Sequence, residues 1–203
     1  MDYLPELLAA LPALDAGAEP PGPWRLRRAG LLDLSPTGEC VIEDPLGGSA
    51  YAPGVGPGPH PVYLVVDEDV ERPEVLAALL HFGATAPVEV DDTGDPVSTD
   101  SGLLLLHGLP PAGVPALVDR ALAALRRETP TEHWSRADHL AGHLSADRPP
   151  VDGEPGDFAE GHLLLPDAAS GGPALALLVD LDGFRLAPVR DAAGAVTALL
   201  VHR

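Results

Sequence analysis

The apolar runs of this chain, among them 103–106 (LLLL) and 174–179 (ALALLV), have the length of a β-strand and fall far short of the ~18 residues that cross a membrane. Turns rich in Gly and Pro separate such runs along most of the sequence. That rhythm favours many short strands over a few long helices. The fold class it predicts is α+β: a mainly antiparallel sheet or sandwich with one or two helices packed on it. A chain of 203 residues supports a single compact domain that buries roughly 70% of its unfolded surface. Within it the sequence separates a β-rich half (1–110), a helical segment and linker (111–157) and a C-terminal hairpin region (158–203).

The predicted elements follow from local pattern. Asp2 is placed to cap a first helix over 3–14, with Pro5 in its first turn and Leu4, Leu7, Leu8 and Leu11 on one face. Segments 24–34 and 39–43 flank the turn signal Ser35-Pro36-Thr37-Gly38 and read as a hairpin. A Gly/Pro-rich loop over 44–60 leads to a strand at 61–66. Segment 75–82 reads as a strand, although its alanines and leucines also suit a short helix. A short strand at 87–90 and an acidic loop over 91–100 follow. Apolar residues Val114, Leu117, Val118, Ala121, Leu122 and Leu125 recur at helical spacing, so 112–128 is the clearest helix, and 132–144 is a second helical segment. After a Pro/Gly-rich linker at 145–157, strands are expected at 161–165, 174–179, 184–189 and 195–202.

The step Asp100-Ser101-Gly102 before the apolar run ending in His107 raises the possibility of a serine nucleophile with its base. Ser101 and His107 stand six residues apart on one presumed strand, roughly 20 Å when extended, so the two cannot pair there. The flanks also lack the Gly-x-Ser-x-Gly elbow, and Asp-Ser-Gly is better explained as a side-chain-capped turn. Cys40, the sole cysteine, sits in an alternating pattern as a small core residue and excludes an internal disulfide. On a helix Glu132, His139 and His143 would share one stripe and could serve a divalent metal, although Arg136 falls in the same stripe and would repel it. The acidic turns fail the calcium-loop template, having Arg72 and Pro96 where Gly is required. No phosphate-binding glycine motif occurs, and no cofactor is expected.

Charge is the strongest functional signal. A formal net charge of −19 repels phosphate backbones and anionic membranes, so neither nucleic acid nor membrane is an expected partner; a basic protein is. The acidic positions in loops, Asp67, Glu68, Asp69, Glu71, Glu89, Asp91, Asp92 and Asp95, are the candidate docking residues. Without lysine, asparagine or glutamine, the composition resembles the codon bias of a GC-rich genome, as in actinobacteria, and no export signal is evident, which points to the cytoplasm.

Three blocks carry a resemblance. They are Gly38-Glu39-Cys40-Val41-Ile42-Glu43-Asp44-Pro45-Leu46; Pro57-Gly58-Pro59-His60-Pro61-Val62-Tyr63-Leu64, followed later by Asp100-Ser101-Gly102; and Asp182-Gly183-Phe184-Arg185-Leu186-Ala187-Pro188 with Asp191-Ala192-Ala193-Gly194. In order and spacing they resemble the uncharacterised bacterial domain-of-unknown-function family 4241, over about three quarters of the chain. The family's aromatic Gly-Trp-Gly-Asp-Gly signature is replaced here by Val179-Asp180-Leu181-Asp182-Gly183. The resemblance implies a β-rich fold in which Asp100-Ser101-Gly102 is a recurrent strand-entry turn, and it lends no catalytic residues.

The functional expectation is a non-enzymatic, immunity-like or regulatory binding protein. Two alternatives stand beside it: a small metal-assisted hydrolase using His139, His143 and Glu132, and a structural component that pairs with another chain through an exposed edge at 195–201.

Overall fold

The computed structural model describes residues 3–18, 20, 22, 24–34, 37–46, 48–52, 54–67, 74–91, 95–108, 118–121, 123, 162–165, 174–179 and 183–203. Two antiparallel sheets pack face to face, and a helix covers the outer side of the larger one.

The chain begins with α1 (Leu4–Asp15), whose Leu7, Leu11 and Leu14 are buried. It continues as β1 (Arg25–Asp33), β2 (Cys40–Glu43), β3 (Ser49–Ala52), β4 (Pro59–Asp67), β5 (Glu74–His81), β6 (Glu89–Val90), β7 (Asp95–Val97) and β8 (Leu103–His107). The C-terminal strands are β9 (His162–Leu165), β10 (Ala174–Leu178), β11 (Phe184–Arg190) and β12 (Val196–His202). Residues 118–121 are helical, inside the helix expected at 112–128, whose other residues lie mostly outside the described set.

The larger sheet has the order β1-β4-β5-β12-β11-β6, with β7 also paired to β11; the smaller has the order β3-β2-β8-β10-β9. The C-terminal strands thus complete both sheets.

Alternation sorts the side chains into layers. Leu32, Val62, Leu64, Leu80 and Val201 of the larger sheet meet Ile42, Leu104, Leu106, Leu175 and Leu177 of the smaller in one core. On the other side of the larger sheet, Leu26, Tyr63, Val65, Leu79 and Leu200 pack against α1. Strands buried on both faces need apolar residues at every position, which is why LLLL and ALALL read as unbroken runs rather than alternating ones. Leu103–Leu106 accordingly are all buried.

Four expectations are corrected by this topology. Segments 24–34 and 39–43 do not form a hairpin: β1 pairs with β4 while β2 pairs with β3 and β8, so the turn between them carries the chain from one sheet to the other. The expected loop over 44–60 contains β3, and the expected acidic loop over 91–100 contains β7. The C-terminal strand is no free edge, because β12 lies between β5 and β11 with its hydrogen-bonding groups engaged on both sides. Segment 75–82 is a strand, as its preferred reading has it; Ala77 and Leu79 face α1 while Ala78 and Leu80 face the other sheet.

Candidate functional site

The densest buried polar cluster among the described residues forms where Asp44 leaves β2. Its Oδ1 accepts the backbone N–H of Leu46 at 2.7 Å, an Asx turn spanning Pro45, and its own N–H donates to the Gly48 carbonyl at 3.1 Å. Its Oδ2 accepts both the backbone N–H of Ser101 at 3.0 Å and the Ser101 hydroxyl at 2.8 Å. The same hydroxyl oxygen accepts the N–H of Leu103 at 3.0 Å and lies 2.9 Å from the Leu103 carbonyl. A hydroxyl has one proton, and the charged carboxylate is the stronger acceptor for it.

The turn that presents Ser101 is closed by Gly102 N–H donating to the Thr99 carbonyl at 3.0 Å, with Gly102 at φ 66°. The buried Thr99 hydroxyl oxygen accepts the N–H of Gly183 at 2.8 Å, and Val179 N–H reaches the Gly102 carbonyl at 3.1 Å. The Asp44-Pro45-Leu46 segment, the turn from Thr99 to Gly102 and Gly183, far apart in sequence, therefore meet in one hydrogen-bonded knot.

Its chemistry is that of a clamp. Asp44 and Ser101 are each 1% exposed, so neither offers an atom to a substrate. The nearest histidine on the strand, His107, faces elsewhere: it stands opposite Val41, with Nε2 3.6 Å from Glu43 Oε2. Burial first, and the neighbouring Asp44 charge second, raise the Glu43 carboxyl above its ordinary value of 4.5. A carboxyl whose folded pKa is raised favours the fold when protonated, so its contribution to stability falls as pH rises above 4.5.

Cys40, on the core face of β2, has its thiol pushed up to about 12 by burial. The thiolate is the reacting species, so native protein is expected to leave a thiol reagent such as DTNB unreacted at pH 8 until urea unfolds it. Stoichiometric labelling of the native chain within minutes would contradict that placement.

The sequence-predicted docking acids are spread rather than gathered. Asp67 ends β4 opposite Glu74, while Glu89 in β6 stands opposite Arg190 at the far end of β11. Asp91 forms an ion pair with Arg190 at 3.3 Å. Asp95 in β7 stands opposite Leu186, at the Asp67 end of the sheet but four strand spacings away, about 19 Å. Glu68, Asp69, Glu71 and Asp92 lie outside the described residues, as do Glu132, His139 and His143 of the metal alternative. Among the described residues no group of three His, Cys, Asp or Glu side chains is arranged to hold a metal ion.

Sequence reasoning named Ser101 and its turn but not Asp44, Thr99 or Gly183 as its partners. The available signal was an Asp-Pro step directly after a strand, the signature of an Asx turn. Comparisons with protein families, curated proteins and solved structures return no match for this chain. Among the described residues no helix is long and apolar enough to cross a membrane.

Proposed function

We propose that this chain is a non-enzymatic, acidic binding protein of the bacterial cytoplasm, immunity-like or regulatory, that docks a basic protein partner. The observation that carries this reading is the net charge of −19. A surface field of that size attracts a basic partner over distance and rejects polyanions. Burial of Ser101 and Cys40 supports the reading by making both structural residues.

The test is capture of partners on untagged protein from a bacterial cytosol, released in steps of rising salt and identified by mass. Screening shortens from about 10 Å at 0.1 M to about 3 Å at 1 M, so a basic protein should be held at low salt and released at high salt. Joint neutralisation of Asp67, Glu68, Asp69, Asp91 and Asp92 should abolish its capture. Binding that ignores both salt and neutralisation would overturn the proposal.

A further inference from the structure

We propose that α1 is a strap that opens from the outer face of the larger sheet as a unit of its own, while the two-sheet sandwich stays closed.

The layers supply the first argument. The buried residues of α1, Leu7, Ala10, Leu11 and Leu14, and Tyr3 just before it belong to the outer cluster with Leu26, Tyr63, Val65, Leu79 and Leu200. None of them enters the core between the sheets. Lifting the helix therefore breaks the outer contacts and leaves the inner ones intact, which is the condition for sub-global opening.

The helix itself is the second argument. At 12 residues it is too short to be stable alone. Its exposed Pro12 provides no N–H for the Leu8 carbonyl, Tyr3 at its N-cap position makes no capping hydrogen bond with its side chain, and no basic residue stands in its last turn. Its existence depends on the sheet beneath it.

The fastening at its C-terminal end is the third. Tyr63 donates its hydroxyl hydrogen to Asp15 Oδ1 at 2.5 Å, and Arg28 stands 3.9 Å from the same oxygen. At the other end the rings of Tyr3 and Trp24 meet edge to face, with centroids 5.7 Å apart. The segment leaving α1 is rich in Gly and Pro (Gly17, Pro20, Pro21, Gly22, Pro23), and Gly17 adopts φ 77° at the point of exit. Opening uncovers an apolar face whose centre is Tyr63, Val65, Leu79 and Leu200.

Hydrogen exchange of the full-length protein, followed by mass spectrometry, tests this. Amides of α1 should exchange at least about 100-fold faster than those of β8 and β10. Tyr63→Phe removes the fastening and should speed α1 exchange about tenfold while β8 and β10 keep their rates. Pro12→Ala, at an exposed position, strengthens the helix and should slow α1 exchange about tenfold or more. The inference is overturned if α1 and the strands exchange together at one rate, or if Tyr63→Phe accelerates β8 and β10 in equal measure.

Discussion

Replacing Gly38 by alanine is expected to lower the thermal unfolding midpoint by about 10 °C or more. Gly38 sits at φ 72°, a region that costs an ordinary residue about 1–2 kcal/mol. A Cβ there would lie 2.5 Å from the Gly56 carbonyl carbon, 2.6 Å from Pro57 N and 2.7 Å from Gly56 Cα. All three are backbone atoms, so no side-chain rotation relieves the overlap. Gly38 also donates its N–H to the Leu34 carbonyl at 2.8 Å and accepts the Gly56 N–H at 3.1 Å, and moving the loops apart breaks the second of these bonds. Together the terms reach about 3–5 kcal/mol, and each kcal/mol is worth about 2–4 °C at this chain length. Gly54→Ala is the control: its φ is 82°, but nothing lies within 4 Å of the added carbon. It should lose only about 1–2 kcal/mol. Equal shifts for the two variants, measured by circular dichroism melts, would refute the close approach at Gly38.

Asp44→Ala is the second large effect. The substitution leaves the N–H groups of Ser101 and Leu46 without their acceptor at a residue 1% exposed, and removes the charged acceptor of the Ser101 hydroxyl. Hydrogen bonds to a charged group contribute about 1.5–3 kcal/mol each, and buried unpaired donors cost about 1–3. Non-additivity holds the sum to about 3–5 kcal/mol, or about 10 °C. Asp44→Asn keeps one carbonyl acceptor and should fall between. Urea unfolding at constant m-value reads these differences directly.

What was legible in the sequence follows from range. The spacing of Leu4, Leu7, Leu8 and Leu11 announces α1, because the face it buries is written within two turns of helix. Strands β8, β10, β11 and β12 announce themselves by apolar runs between turn residues. Pairing was less accessible. Ser35-Pro36-Thr37-Gly38 satisfies the turn chemistry of a hairpin and of a crossover alike, and only the distant partners of β1 and β2 decide between them. β3 is four residues long with Gly48 close before it and Gly54 soon after, too little pattern to rise above a loop. The mistaken edge at 195–201 had a readable clue: Ala198, Leu199, Leu200 and Val201 are apolar on consecutive positions, as a strand covered on both faces requires. The partnership of Asp44 with Ser101 spans 57 residues, and no local periodicity encodes a contact of that range.

Asp44 and Ser101 form a buried, hydrogen-bonded structural clamp. A double-mutant cycle measures it most directly, with Asp44→Ala, Ser101→Ala and the pair unfolded in urea. A shared hydrogen-bond network predicts that the double variant loses less than the sum of the single losses, with a coupling of about 1–2 kcal/mol. Additive losses within about 0.5 kcal/mol would show the two side chains to be energetically independent and would contradict the clamp.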